Sequence, residues 1–456
     1  MELQTRFWNL LLPGGSFLVT AGLIFAFFST DEVAVGAMLK VGIAKVDITP
    51  TKPVVLGGYG LRIGPSTGVF APIYVRALVF DDGAQRVALI ESDIVDYGQH
   101  LEIRKRISEA TGIALPGILL AAVHNHSAPD PSSSKIDPEW KKEFIEKIVL
   151  AVQQAIERLV PVRVGGNIGH SRIGMNRRKK VDATYSTTTF DENYFSQSFG
   201  EHKTDQPVKI QEIEGVIRLG SNPEGPIDDE VGILRMDTVS GKPLAAFVNY
   251  ACHGTSLGGR NSIISPEWNG HMLQYVEEKL PGVVGIFANG AAGDINPRFV
   301  GGLEGYQDNL ENTKLLGFEI GREVVSVFNA TPTAELADPK IKVVSEDISL
   351  PRNYRDLPDD FTRTTVSVPV SVVQIGDFTW VTLPVELFHE IGKRIKASCH
   401  SKYAFIVTYC NGHLGYLPTQ KAFAEGGYEP AGSHFDPISE QVLVKKIADM
   451  MIPLGR

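Results

Sequence analysis

Val75-Arg76-Ala77-Leu78-Val79-Phe80 and Val87-Ala88-Leu89-Ile90 are two short runs rich in β-branched residues, followed by Gln99 to Thr111 with apolar residues at helical spacing. Strand, strand and helix in that order predict layered α/β structure. Outward from this core the rhythm persists: Val41 to Ile48 reads as an earlier strand and Trp140 to Leu159 as a second helix. It returns in the strands Val231 to Met236, Ala245 to Tyr250 and Val283 to Ala288, and in a helix from Thr313 to Phe328 with Asn312 as its N-cap. The last third adds strands at Val366 to Ile375, Thr379 to Leu383 and Phe405 to Tyr409, with a helix from Leu387 to Ser398. The expected fold class is therefore α/β, with mixed β-sheets layered against α-helices. Neither an internal repeat nor a linker rich in Pro, Gly and Ser divides the chain, so residues 39–456 read as a single domain.

Two segments depart from this rhythm. From Phe7 to Phe28 the chain is almost entirely apolar, with Arg6 before it and no charge until Asp31, as in a signal-peptide core or a single membrane anchor. Residues 1–38 are accordingly expected to be a signal peptide or membrane anchor, placing the protein outside the cytoplasm: secreted, periplasmic or membrane-anchored. Met175 to Pro207 carries Arg177, Arg178, Lys179 and Lys180 and then many Ser and Thr, and reads as a long loop serving as a lid, a binding surface or a mobile excursion. The plainer reading of its basic cluster is a solvated face.

Composition excludes several functions. The 456 residues are 43% hydrophobic and 21% charged, a balance that supports a large core and excludes a disordered chain. Forty-four Lys+Arg against 53 Asp+Glu give a net charge of −9, which disfavours a general grip on nucleic acid. Three cysteines, Cys252, Cys399 and Cys410, with no Cys-x-x-Cys spacing, exclude a disulfide scaffold and a thiolate zinc knuckle. Any metal must then rest on histidines and carboxylates.

Histidines stand at strand exits. Ala121-Ala122-Val123 runs into His124-Asn125-His126-Ser127, and strand geometry would put both rings on one face, suited to a divalent metal of zinc type or to a ligand plus an oxyanion donor. Ala245 to Tyr250 opens into Ala251-Cys252-His253-Gly254. A third exit is Asn289-Gly290-Ala291-Ala292-Gly293-Asp294-Ile295-Asn296-Pro297, where small residues let the backbone approach a ligand and Asp294 can cap a turn. Glu386 follows the strand ending at Leu383 and would stand at a helix start, a favourable place for an acid even without metal. Tyr416 and Tyr428 sit in Gly-rich loops. Together these supply two imidazoles, a carboxylate and a phenol, the donor set of a hydrolytic zinc site with room for water.

With these residues in view, the chain resembles the catalytic domain of the neutral/alkaline non-lysosomal ceramidases across roughly Leu39 to His434. The resemblance is carried by Val41-Gly42-Ile43-Ala44-Lys45-Val46-Asp47-Ile48-Thr49-Pro50, Gly57-Gly58-Tyr59, Arg76, His124-Asn125-His126-Ser127-Ala128-Pro129 and Met175-Asn176-Arg177, in the family's order. It implies that His124, His253, Glu386 and Tyr416 are zinc ligands, that His126 faces the scissile carbonyl, and that Arg177 and Tyr428 contact substrate. His126 and Tyr428 would be the oxyanion donors. Gly58 would provide a backbone contact near the pocket. Asn296 stands where the family's Gly-Asp-Val-Ser-Pro has its serine, which excludes a serine nucleophile there. The implied activity is zinc-dependent hydrolysis of an N-acyl amide, with a lipid or small-molecule amide as substrate and a sphingolipid-like one included. The alternatives are a metal-dependent hydrolase of another carbonyl or sugar-derived substrate on the same scaffold, and a binding protein without activity. The resemblance covers the catalytic domain and does not extend to the immunoglobulin-like domain of the larger enzymes.

Overall fold

The structure is a computed structural model describing residues 38–60, 62–181, 216–300, 309–353 and 364–455. The chain divides into Met1–Gly36 and Ala37–Arg456, and all described residues belong to the second unit. The apolar run Phe7 to Phe28 lies outside them.

Eight strands form the main sheet in the order Val284–Asn289, Pro243–Tyr250, Glu230–Thr238, Val160–His170, Lys40–Asp47, Tyr74–Asp81, Arg86–Ser92 and Ile118–Ala122. The two strands at each edge run parallel, and the pairings between are antiparallel. A second sheet orders Ile341–Pro351, Thr365–Ile375, Phe378–Thr382 and Tyr403–Val407. Alternation along each strand decides what packs where. In Tyr74–Asp81, Val75, Ala77 and Val79 face the helices His100–Thr111 and Pro138–Glu157, while Leu78 and Phe80 face the second sheet. In Pro243–Tyr250, Ala246, Val248 and Tyr250 meet the helices Glu267–Lys279 and Leu310–Ala330, while Ala245 and Phe247 join the core between the sheets. The second sheet sends Trp380 and Phe405 into that shared core, and Val381 and Ile406 onto the helices His389–Ser398 and Ser439–Met451. The result is four layers: helices, sheet, sheet, helices. The mixed α/β class read from the sequence holds.

Several local readings are corrected. Met175 does not open a loop: Gly174–Val181 is a strand paired with Ile295–Pro297 and Val216–Asn222, because a short strand on each side satisfies its backbone. Residues 182–215 lie outside the described residues. Arg177 and Arg178 are buried rather than solvated, each held by Glu429. Asn309, not Asn312, caps the helix Leu310–Ala330, its side chain accepting from the Asn312 N–H at 3.1 Å. Glu386 does not begin a helix; Glu386–Leu387 is a short strand parallel to Tyr416–Leu417, and the helix starts at His389.

The main sheet folds over on itself near the site. Its edge strand Val284–Asn289 lies against Lys40–Asp47, Tyr74–Asp81, Arg86–Ser92 and Ile118–Ala122. Beyond them Asn125 bridges Gly254, and the His126 N–H donates to the Gly254 carbonyl at 3.0 Å. This bridge brings the two histidine exits, far apart in sequence, to one place.

Candidate metal centre

Asn289 ties the two exits together. This fully buried residue donates from Nδ2 to the Val123 carbonyl at 3.1 Å and the Cys252 carbonyl at 3.0 Å, and its Oδ1 accepts from the Cys252 N–H at 3.2 Å. Val123 and Cys252 immediately precede His124 and His253. One buried amide therefore sets the spacing of both imidazoles.

His124 and His126 meet, but not by strand geometry. The strand ends at Ala122, and His124 takes φ 63°, a left-handed conformation rare for a non-glycine residue. That turn brings the two Nε2 atoms within 3.1 Å. His253 joins them, its ring centroid 5.0 Å from that of His124. The ligand atoms of His124, His126 and His253 all lie within 4.8 Å of one another, close enough to share a metal ion. Glu386 completes the cluster, with Oε2 at 3.0 Å from His253 Nε2 and 3.4 Å from His124 Nε2.

Hydrogen bonding fixes what these nitrogens offer. His124 Nδ1 lies 3.2 Å from the Val95 carbonyl, and His253 Nδ1 lies 2.6 Å from the Ala292 carbonyl. A carbonyl only accepts, so each Nδ1 carries the hydrogen and Nε2 is the atom each ring turns toward a metal. Burial pushes the His253 imidazolium down to about 4, assisted by the Arg177 charge, and pushes His126 well below its ordinary value. Burial alone would raise the Glu386 carboxyl, but the His124, His253 and His413 rings outweigh it and hold it well below the carboxylate range. The Nε2 atoms of His124 and His253 thus converge on one ionised carboxylate oxygen. Imidazole nitrogen with carboxylate oxygen at these separations suits a divalent transition metal. The carbonyl acceptors behind the rings are the outer hydrogen bonds that orient ligating histidines.

Tyr416 lies directly across the strand pair from Glu386. Its ring packs edge-on to Tyr428 at 5.6 Å and lies 5.3 Å from the Arg177 guanidinium carbon. Arg177 is locked on three sides: Nε donates to Glu429 at 2.8 Å, Nη1 donates to Asn296 Oδ1 at 3.1 Å, and Nη1 reaches His253 Nε2 at 3.4 Å. Its buried Nη2 has no partner among the described residues. Asn296 is itself buried, and its amide oxygen orients the arginine. Gly58 adopts φ 88° against the His126 ring, where an added Cβ would fall 2.3 Å from Cγ. All nine expected site residues therefore gather in one region around His124, His253 and Glu386.

Two neighbours escaped the sequence reading: His413 Nε2 lies 3.4 Å from Glu386 Oε1, and Tyr409 stacks on His124. Asn289, read only as the start of the third exit, holds the other two. His413 follows the strand Tyr403–Val407, so the strand-exit reasoning that selected His124 and His253 would also have selected it.

Fold and site together define a layered α/β chain built around a candidate metal centre. The chain belongs to the neutral/alkaline non-lysosomal ceramidase family: the model for that family's N-terminal region matches residues 39–314, more than half of the chain. Neutral ceramidase of Drosophila pseudoobscura pseudoobscura is 24% identical over 289 residues, 58% of this chain and 37% of that protein. Neutral ceramidase of Pseudomonas aeruginosa is 24% identical over 303 residues, 61% of this chain and 40% of that protein. The match thus takes in well under half the length of these curated relatives. Among solved structures, one described as "Ceramidase complexed with C2" superposes with TM-score 0.71 at 17% identity, covering 92% of this chain and 75% of the other. The crystal structure of the Pseudomonas aeruginosa neutral ceramidase gives TM-score 0.71 at 18% identity, over 92% of this chain and 74% of that one. At those identities the superposition establishes the fold. Glu386, Tyr416 and Tyr428 lie beyond the segment matched by the family model.

Proposed function

We propose that this chain is a zinc-dependent hydrolase of the ceramidase type, splitting an N-acyl amide with water into a carboxylate and an amine. Zinc would be held by His124, His253, Glu386 and Tyr416. The observation that carries this reading is the convergence of the His124 and His253 Nε2 atoms on one ionised carboxylate oxygen. When bound, zinc supplies a Lewis acid that polarises the carbonyl and lowers the pKa of its water.

The chain's own residues supply the rest. Burial disfavours the charged form of His253, which keeps it available as a ligand. Gly58 lets the backbone pack against the His126 ring, which would face the scissile carbonyl and serve as a donor to its oxygen. Arg177, with Nη2 unengaged, and Tyr428 hold the substrate and share the negative charge that develops on that oxygen. Asn296 contributes by fixing Arg177 and by bordering the substrate. The family points to a lipid amide, with sphingolipids among the substrates. The solved structure described as a ceramidase complexed with C2 supports a short-chain member of that class as a first probe.

The apolar run Phe7 to Phe28 supports an extracytoplasmic location, secreted, periplasmic or membrane-anchored. Among the described residues no helix is long and apolar enough to cross a membrane. Fractionation of cells expressing the full chain tests this placement; a purely cytosolic product would refute it. The function is tested by zinc content after purification, together with release of amine from a panel of N-acyl substrates that includes short-chain ceramides. Stoichiometric zinc and zinc-dependent amine release are expected. A protein that binds no divalent metal would overturn the reading.

A further inference from the structure

We propose that Tyr409 is a positioning residue of the metal centre, its ring forming the platform that fixes His124. This rests on the reading of His124 as a metal ligand. The Tyr409 ring lies parallel to the His124 imidazole, with centroids 4.0 Å apart and planes 10° apart. The other ring pairs of the site are edge-on or tilted: His124 meets His126 at 79°, His253 at 71° and His413 at 45°. Tyr409 alone covers the face of the imidazole among these contacts.

Backbone conformation points the same way. Among the described residues four non-glycine positions have positive φ: His124 at 63°, Glu267 at 55°, Tyr409 at 53° and Asn411 at 61°. Two of these four are the stacked partners, and a third lies two residues from one of them. Such conformations persist only where their surroundings over-determine them. Here the surroundings do so from both sides. The Ala122 N–H donates to the Tyr409 carbonyl at 3.1 Å, the Asn411 N–H donates to Leu120 at 2.9 Å, and Asn411 Oδ1 accepts from the Leu120 N–H at 2.9 Å. The Thr408 N–H donates at 3.0 Å to the carbonyl of Asn289, whose side chain holds Val123 and Cys252. The residues preceding His124, His253 and Tyr409 are therefore joined through Asn289, and the strain is used to turn the phenol ring onto the imidazole.

The Tyr409 hydroxyl is buried and has no partner among the described residues. Its ring, not its oxygen, makes the contact with His124. A flat partner blocks rotation of the imidazole about its Cβ–Cγ bond, leaving Nε2 aimed at His253 and Glu386. Ligand orientation of this kind typically contributes about 10- to 100-fold to metal affinity.

The test compares the wild type with Tyr409→Phe and Tyr409→Leu by zinc competition against a chromophoric chelator and by the visible spectrum after cobalt substitution. We expect wild-type affinity and spectrum in Tyr409→Phe, and at least about tenfold weaker zinc binding with an altered cobalt spectrum in Tyr409→Leu. A folded Tyr409→Leu protein with wild-type affinity and spectrum overturns the proposal, as does a Tyr409→Phe protein as impaired as Tyr409→Leu. Should Tyr409→Leu not fold, proton NMR of the cobalt-loaded wild type decides: Tyr409 ring resonances shifted by the paramagnetic ion support the platform, and unshifted ones refute it. A wild type that binds no metal refutes the underlying functional reading instead, which separates the two failures.

Discussion

Two clusters of buried charge sit at strand ends of the main sheet, and they solve opposite problems. At one, Arg76 donates from Nη1 to Glu91 at 3.2 Å and to Asp93 at 3.3 Å, all three buried. At the other, Glu386 faces His124 and His253. The first carries its own cation. Burial raises the Glu91 carboxyl well above its ordinary range and raises Asp93 as well, while the Arg76 guanidinium opposes both shifts. The second turns the Nε2 atoms of two histidines onto one carboxylate oxygen, with Arg177 at its rim bound to Glu429. Equal burial therefore does not mean equal function: the Arg76 cluster pairs charge with charge inside the fold, and the other presents the donor set of a candidate metal centre.

The largest effect expected from breaking this contrast is on turnover. Glu386→Gln and His253→Ala should each lower amide hydrolysis by several orders of magnitude and abolish stoichiometric zinc, because each removes a ligand. Turnover near wild type in either would erase the distinction between the clusters. Arg76→Met should instead destabilise by about 3–5 kcal/mol by stranding buried carboxylates. Urea unfolding measures this, and added zinc should not restore it; rescue by zinc would mean that the Arg76 cluster also takes a cation.

Acid sharpens the comparison. In metal-free protein the folded state holds His253 at about 4 against an ordinary 6.5, so it binds fewer protons than the unfolded chain between those values. This neutral histidine's share of stability, on the order of 3 kcal/mol, is present above pH 6.5 and is lost as pH falls toward 4. The Arg76 cluster slopes the other way: Glu91 is raised above its ordinary 4.5, so its share is present below that value and fades as pH rises through the folded value. Denaturation midpoints of metal-free wild type and His253→Gln between pH 7 and 4 check this. Parallel curves would deny His253 the role.

Smaller effects mark the periphery. Tyr428→Phe should slow hydrolysis roughly 10²-fold, the scale of one oxyanion donor, with zinc content unchanged. An unaltered rate would move that donor role to another residue. Asn309→Ala, which removes a helix cap outside both clusters, should cost about 1 kcal/mol in unfolding free energy and leave turnover alone.

Where apolar periodicity was clean, the elements were legible in advance. Tyr74–Asp81, Arg86–Ser92 and Pro138–Glu157 agree with their expected positions to within one or two residues. The strand Val160–His170 escaped notice because Gly165, Gly166 and Gly169 dilute its pattern; a Cβ on Gly165 would fall 2.0 Å from the Pro332 carbonyl oxygen, so close packing demands the glycine. The helix Glu267–Lys279 escaped because it is covered on several sides, with Glu267, Asn269 and His271 buried beside Trp268 and Met272. Polar residues inside a helix interface erase the stripe that a sequence reader relies on.

The sequence by itself determined the layered α/β class, through alternation and helical spacing that reflect local burial, and it placed histidines at strand exits. Only the tertiary structure decided that those exits meet. The Asn125–Gly254 bridge, the Asn289 clamp and the stack of Tyr409 on the His124 ring are contacts between segments distant in the chain. Periodicity records which face of an element is covered, whereas a metal centre depends on which distant element covers it, and that information appears only when the backbone has folded.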